Sequence, residues 1–241
     1  MKKDKKIKFY LGLIYLAILS LFLWYLFTNF SIKDLTSYEF IKNNRNNLIV
    51  LKDENFILTS ILFIVFLIIW VLLLGFATPV LLIAGFLFGK WYGTLFSVIG
   101  ISFGSTLLYL FASFFFKDVI QEKFSKRFSN LKEKFEQNEL IYFIIYRFIG
   151  GIPMQIQNLI PVIFSVKTKN YFLGSFIGMT PQIFIWTFLG SGIENTINKN
   201  LKFPSLIDLI LSPDIYIPII LFITVIISAL IIRRFFFPNL K

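Results

Sequence analysis

The sequence predicts an all-α integral membrane protein with two inverted repeats, each a re-entrant hairpin plus a transmembrane helix, flanked by N- and C-terminal transmembrane helices. The composition, the lengths of the apolar runs and the placement of basic residues lead to this fold class. Of 241 residues, 57% are hydrophobic and 15% are charged, whereas soluble domains are about 25% charged. Spanning a bilayer takes about 20 apolar residues per helix. The uncharged runs are residues 9–32, 56–89, 91–116, 170–193 and 215–232.

The composition also excludes several classes of function. The net charge of +11 does not indicate nucleic-acid binding, because the basic residues flank the apolar runs as they do at cytoplasmic ends of membrane helices. The absence of cysteine and histidine excludes disulfides, thiol chemistry, Ser/His or Cys/His catalytic pairs and histidine metal sites. No acidic residue lies inside a predicted span, which disfavours enzymes and proton-coupled transporters. We therefore expect no enzyme, no metal and no cofactor.

Basic residues orient the chain in a cell membrane. Lysines within residues 1–8, basic residues within 117–134 and those after residue 232 place the N-terminus, the middle loop and the C-terminus in the cytoplasm. The long first apolar run favours a retained signal anchor over a cleaved signal peptide. The predicted regions are an N-terminal anchor with an external loop (1–55), a core (56–192), and an external loop with a C-terminal transmembrane helix (193–241).

The first hairpin is predicted at about residues 56–90. The uncharged run 56–89 is 34 residues long, too long for one span and too short for two with a turn. Gly75 and the step ending at Pro79 are its breakers. They predict a helix to Gly75 and a half-helix over 79–88, opening to the outside, before residues 94–116 cross inward.

The second hairpin is predicted at about residues 140–166, which contain a single charge. No straight lipid-facing helix tolerates the glycines and prolines of this segment, and a broken backbone at membrane depth needs cover from protein or water. The basic flanks predict that this hairpin opens to the cytoplasm. Residues 171–192 then cross outward. The helix-breaking residues are Gly150, Gly151, Pro153 and Pro161.

A weak internal repeat links the halves at an offset of 74 residues. Because a hairpin plus one span is an odd number of crossings, the copies are predicted to be inverted, as in many transporters. The glycines predict close helix packing, with direct substrate contact as the alternative, and Pro181 predicts a kink. The matched pairs are Pro79 with Pro153, Gly100 with Gly174, and Gly104 with Gly178.

Residues 117–139, between the repeats, predict a cytoplasmic amphipathic helix. Apolar residues from Ile120 to Phe135 recur at steps of 4, 4, 3 and 4, which places them on one helical face. We expect this helix to lie in the membrane interface; a soluble helical loop is the alternative.

Arg147, the single charge of the second hairpin, is the leading candidate for a functional residue. An arginine at the centre of a membrane helix costs about 2.5 to 3.5 kcal/mol, and a guanidinium can hold a phosphate with two hydrogen bonds. The alternative is an arginine that reaches the cytoplasmic surface. Asn158, Gln155 and Gln157 either line a polar path beside Arg147 or satisfy the broken backbone.

Two motifs resemble those of the DedA superfamily, also called the VTT-domain or SNARE-associated Golgi protein family. The resemblance covers about residues 55–192, and it is closer to the Golgi-type VTT branch, because the first hairpin lacks the acidic residues of many bacterial relatives. Pro161 stands where relatives often have glycine. The first motif is Ala84-Gly85-Phe86-Leu87-Phe88-Gly89 followed by Gly93; the second is Arg147-Phe148-Ile149-Gly150-Gly151-Ile152-Pro153 followed by Asn158, Tyr171, Gly174, Gly178 and Pro181.

The resemblance implies two re-entrant hairpins and work on lipids. Eukaryotic relatives are linked to phospholipid scrambling, and bacterial relatives to translocation of undecaprenyl phosphate and membrane homeostasis. By position, Arg147, Pro153 and Asn158 would form the polar centre, with Gln155 beside them. The sequence therefore predicts a lipid translocase or scramblase whose partners are membrane lipids. The alternatives are a secondary transporter of a small anion and a membrane-shaping scaffold, and a homo-oligomer stays open.

Overall fold

The computed structural model describes residues 49–73, 77–124, 138–149, 153–199 and 211–236, together with isolated residues between positions 10 and 28. The chain divides into two compact units, Met1–Thr59 and Ser60–Lys241. All regular structure in the described part is helical. The helices are α1 (Phe56–Leu72), α2 (Ala77–Phe124), α3 (Glu139–Ile149), α4 (Met154–Leu159), α5 (Thr168–Lys199) and α6 (Pro213–Phe236), with a 3₁₀ turn at Ile160–Val162 after α4.

The predicted class, an all-α membrane protein, is confirmed. Three helices are long and apolar enough to cross a bilayer. They contain Thr168–Asn195, Ile215–Ile232 and, in α2, the part of Ala77–Phe115 that follows the non-helical residue Gly89. The shorter apolar helix α1 precedes them. Gly75, Gly150, Gly151 and most of the predicted interfacial helix lie outside the described residues.

The chain folds back on itself within α2, at Gly89. Its φ of 72° and ψ of 174° belong to a region that is essentially open only to glycine. A Cβ on Gly93 would lie 2.7 Å from the carbonyl oxygen of Ala84, although a straight helix would separate these residues by about 13 Å. Segments 77–88 and 90–124 therefore lie side by side next to the turn. The predicted half-helix after Pro79 is present and ends where the sequence placed its end.

Helix α1 packs along the second arm of α2 through the glycine pair. A Cβ on Gly100 would lie 2.7 Å from the Cβ of Leu67, and one on Gly104 would lie 2.9 Å from the Cβ of Val71. Since the contact positions rise together along both helices, the two run in the same direction. This agrees with the predicted packing role of these glycines.

The second arm of α2 and helix α5 form the central antiparallel pair. Near one end, the hydroxyls of Thr94 and Thr187 are hydrogen-bonded at 2.6 Å. Near the other end, the rings of Tyr109 and Tyr171 stack with centroids 4.3 Å apart. Gly85, on the first arm of α2, is so close to the Thr187 carbonyl that no side chain fits between them.

Two helices extend beyond their predicted ends. Helix α2 continues without interruption from its second arm to Phe124, so the predicted interfacial helix does not begin separately at residue 117. Helix α5 continues to Lys199, beyond the predicted end of the crossing at residue 192, and includes the Gly190-Ser191-Gly192 stretch. Pro181 lies inside α5. In both cases the added turns extend helices that are already packed, so no new nucleation is needed.

Candidate functional site

The candidate site lies in the second hairpin, formed by α3 and α4. The Tyr146 hydroxyl donates to the Gln157 carbonyl at 3.0 Å, and the Gln157 amide donates to the Tyr146 carbonyl at 3.2 Å. A straight helix would hold residues 146 and 157 about 16 Å apart. These reciprocal bonds therefore show that the chain reverses between α3 and α4. Pro153 precedes α4 with extended φ and ψ angles of −49° and 133°.

Arg147, in the last turn of α3, is the centre of the site. Its side chain is 0% exposed, so the alternative in which it reaches the surface is wrong in this conformation. Nε donates to Ser175 Oγ at 3.0 Å, Nη1 to Asn158 Oδ1 at 2.7 Å, and Nη2 to the Tyr171 hydroxyl at 2.5 Å. The guanidinium thus joins α3, α4 and α5.

The charge of Arg147 is not neutralised by its partners. All three hydrogen-bond acceptors are neutral oxygen atoms, and no carboxylate forms an ion pair with it in the described part of the chain. Its Cζ atom lies 5.1 Å from the Phe143 ring centre and 4.9 Å from that of Tyr171. Aromatic faces attract a cation but carry no net charge. The site therefore combines a buried positive charge with acceptors that an anion could replace.

Two glycines of α5 allow Arg147 to reach this position. A Cβ on Gly178 would lie 2.6 Å from the Cβ of Arg147, and one on Gly174 would collide with the Phe143 ring. Helices α3 and α5 therefore approach closely and run in the same direction, as α1 and the second arm of α2 do. The predicted packing role of this glycine pair is supported by the same kind of contact as in the first half.

Tyr109 closes the site from the second arm of α2. Its hydroxyl donates to the Val166 carbonyl at 2.5 Å, and its ring covers Tyr171. Val162 and Phe143 complete the apolar surroundings. Pro161, buried in the 3₁₀ turn, lies in the same stretch. The polar cluster is thus enclosed by apolar and aromatic side chains. In such surroundings water does not readily replace a hydrogen-bond partner of the guanidinium.

The amide side chains in and around the hairpin have different hydrogen-bonding roles, which could not be distinguished from the sequence. Gln157 satisfies backbone atoms of α3, and Gln182 of α5 does the same by donating to the Phe148 carbonyl at 2.7 Å. Asn158 instead accepts from Arg147. Gln155 is half-buried on α4. The interpretation that an amide satisfies the backbone is therefore supported for Gln157, and the polar path beside Arg147 stays a prediction.

The structure brings Arg147 and Asn158 together as the sequence predicted, and it adds partners that the sequence did not assign. The sequence indicated Tyr171 only as part of the family motif, and it indicated no role for Ser175. A signal for both existed, since Tyr171, Ser175 and Gly178 follow the i, i+4, i+7 spacing of one helical face. That face is the one that packs on Arg147.

A family model described as the VTT domain matches residues 58–192, which is more than half of the chain. The match includes both hairpins and the whole Arg147 cluster. No solved structure matches the chain.

Proposed function

Because the chain belongs to the VTT-domain family, the DedA and SNARE-associated group of membrane proteins, we propose that it is a non-enzymatic lipid translocase or scramblase. Its substrates would be phosphate-bearing lipids, either phospholipids or undecaprenyl phosphate, and its role would be membrane homeostasis. The observation that carries the proposal is the buried guanidinium of Arg147, which is held only by neutral acceptors. That the chain is more similar to the Golgi-type branch of the family than to the DedA branch stays a prediction.

In the proposed arrangement the two hairpins are re-entrant and belong to inverted repeats, with both termini in the cytoplasm of a cell-membrane protein. Two features of the packing support this. In each half a glycine pair packs on the first arm of the preceding hairpin, and the two long helices that carry these glycines run in opposite directions. Re-entrant backbone is tolerated where protein covers it.

The proposed mechanism exchanges the acceptors of Arg147. A phosphate offers charged oxygens in a geometry that matches two guanidinium N–H groups, so it competes with the neutral oxygens of Asn158 and Tyr171. Since Arg147 is fully buried, α4 must move away from α3 to admit the head group. The guanidinium lowers the cost of moving a phosphate through the hydrocarbon layer, and it holds the phosphate only while α4 is displaced.

The same chemistry would suit a small soluble anion, so a secondary anion transporter is the alternative, and a membrane-shaping scaffold is a third class. Lipids are the proposed partners, and a homo-oligomer stays open. We propose a non-enzymatic role because the guanidinium network contains no carboxylate that could act as a general acid or base.

The test is transbilayer movement of lipid in proteoliposomes. Purified protein is reconstituted with fluorescent phospholipids of several head groups, or with undecaprenyl phosphate, and the lipid exposed to an external reagent is followed over time. We expect faster movement than in empty vesicles, and slower movement with Arg147→Ala. Movement no faster than in empty vesicles for every head group overturns the proposal, and uptake of a soluble anion without lipid movement favours the alternative.

A further inference from the structure

A second cation lies far from Arg147, where the chain reverses within α2. Lys90 is the single charged residue between positions 55 and 116, and it follows the turn residue Gly89. Its ammonium lies 4.3 Å from the centre of the Phe188 ring and 5.9 Å from that of Trp91. No carboxylate pairs with it in the described ranges. It is therefore a half-buried positive charge held against aromatic faces.

Lys90 and Arg147 stand at different levels of α5. The Lys90 carbonyl accepts from the Thr187 hydroxyl at 3.4 Å, whereas Arg147 donates to Ser175. Twelve helical residues, at a rise of 1.5 Å each, correspond to about 18 Å along the helix axis. Lys90 therefore forms no part of the Arg147 cluster.

An open groove of about 520 Å³ lies along α5 between these two levels. Its walls are Trp91, Leu95 and Val98 of α2 and Phe176, Pro181 and Phe184 of α5. The hydroxyls of its two threonines donate to carbonyls of their own helices at 2.5 Å, so its surface is almost wholly apolar. Its volume is within the range of small-molecule sites, about 300 to 1,000 Å³.

The mouth of the groove has the composition of a membrane–water interface. Trp91 is 70% exposed and Tyr92 is 55% exposed, directly after Lys90. Tryptophan and tyrosine are enriched at the level of lipid head groups, where lysine ammonium groups also come to lie. Lipid phosphates occupy the same level, so a lipid whose acyl chain fills the groove places its phosphate beside Lys90.

We infer that this groove binds an anionic phospholipid, with one acyl chain along its apolar walls, beside the contacting rings of Trp91 and Phe184, and the phosphate at Lys90. The apolar walls alone give no selectivity, because lipid chains are as apolar as the side chains they contact. Selection for an anionic head group must therefore come from Lys90. A juxtamembrane lysine attracts anionic lipid by an amount that corresponds to about a fivefold preference. The site is separate from the proposed transport site and does not depend on translocation.

The experiment uses Trp91 as the reporter of acyl chains in the groove. The full chain, with Trp24, Trp70 and Trp186 changed to phenylalanine, is reconstituted in phosphatidylcholine vesicles. Quenching of Trp91 is compared between brominated phosphatidylglycerol and brominated phosphatidylcholine at equal mole fraction. We expect the phosphatidylglycerol to bind about fivefold more tightly.

Three substitutions test the source of this preference. Lys90→Gln should lower the affinity for phosphatidylglycerol to that for phosphatidylcholine, whereas Lys90→Arg should keep the preference. Lys169→Gln should also keep the preference, because Lys169 is exposed and lies at the opposite end of α5. A protein with Trp186 as the sole tryptophan should show no preference, because the pocket beside it is lined only by apolar residues.

Equal quenching of Trp91 by the two lipids in the protein with Lys90 intact overturns the inference, whatever the variants do. A preference that survives Lys90→Gln also overturns it. If Lys90→Gln does not fold, a preference in the Lys90 and Lys90→Arg proteins that disappears at high ionic strength supports it, and one that salt leaves unchanged overturns it. Since binding alone is measured, a failure of the lipid translocation assay leaves this result unaffected.

Discussion

Arg147 Nη1 donates a 2.7 Å hydrogen bond to Asn158 Oδ1, and this bond joins the two arms of the second hairpin. A straight helix would place these residues about 16 Å apart, so the bond exists only because the chain reverses between α3 and α4. Burial of the guanidinium in turn depends on the acceptors that the reversal supplies. The fold of the hairpin and the burial of its charge are therefore coupled.

Tyr171→Phe should destabilise the protein while leaving its shape intact. The Tyr171 hydroxyl accepts from Arg147 Nη2, and phenylalanine would leave this N–H group buried without a partner. The expected loss is about 1 to 3 kcal/mol in the free energy of unfolding, measured by titration with SDS in mixed micelles. Tyr216→Phe is the control, because Tyr216 is 41% exposed, and its change should stay within about 0.5 kcal/mol. Equal effects of the two substitutions would contradict the network.

Gly89→Ala should cost stability through backbone strain alone. Nothing lies within 4 Å of a Cβ at this position, but its φ is +72°, in a region that costs other residues about 1 to 3 kcal/mol. Gly12→Ala is a matched control because it also meets open space and has no positive φ. The same titration should show a loss for Gly89→Ala and none for Gly12→Ala. No loss at Gly89 would mean that the turn is not held in this conformation.

Glu139, at the start of α3, is hydrogen-bonded to residues at the start of α5, and Glu139→Ala should weaken this connection. Its Oε1 accepts from the Lys167 backbone N–H at 2.8 Å and from Asn170 Nδ2 at 2.7 Å, where α5 begins. Loss of such a cap costs about 1 kcal/mol. Glu139→Gln, which keeps an acceptor oxygen, should cost less, and Glu122→Ala, at an exposed position, should cost nothing. Hydrogen exchange of the first amides of α5 measures the effect locally, and unchanged exchange in Glu139→Ala would rule the connection out.

The hydrogen bond between Thr94 and Thr187 should give a small coupling energy. Each hydroxyl also has an acceptor within or near its own helix, Lys90 for Thr94 and Phe184 for Thr187, so removing one partner leaves the other satisfied. A double-mutant cycle with Thr94→Val and Thr187→Val should give about 0.6 kcal/mol, the average for interhelical bonds in membranes. A coupling energy of zero would show that the two hydroxyls do not interact.

The class of fold, the break after Phe88 and the chain reversal between α3 and α4 could be predicted from the sequence, because they depend on local properties. Apolar run lengths require membrane helices, and a bilayer leaves no room for an unpaired backbone. The 34-residue run after Asn55 also predicts a fold-back near Gly75, which lies outside the described residues. The ends of α2 and α5 could not be predicted. The charged residue at position 117 and the glycines at 190 and 192 indicate where the chain leaves the apolar part of the membrane, but they do not by themselves end a packed helix.

The site could be predicted only in part, for a physical reason. A lone arginine is conspicuous because burial of its charge is costly, and its asparagine lies in the same hairpin. Ser175 and Tyr171 are on another helix, and neither residue type is unusual in a membrane span. Their role depends on how α5 faces α3, which is set by the close approach at Gly174 and Gly178. Such a register requires the three-dimensional packing.

We expect that the positive charge of Arg147, and not merely its packing, serves lipid movement. Asn158→Asp tests it directly. The new carboxylate keeps the acceptor oxygen at 2.7 Å from Nη1 but neutralises the guanidinium, so the fold should be retained. Asn138→Asp, at an exposed position before α3, is the control for an added charge.

The decisive measurement is the rate of phospholipid movement in proteoliposomes of Asn158→Asp, whose thermal unfolding first shows that it is folded. We expect a rate at least about tenfold below wild type, because cancelling a charge contact worth about 1.5 to 3 kcal/mol changes a rate by that factor or more. Asn138→Asp should move lipid at the wild-type rate. A folded Asn158→Asp protein that moves lipid as fast as wild type would show that the charge of Arg147 does not serve lipid movement.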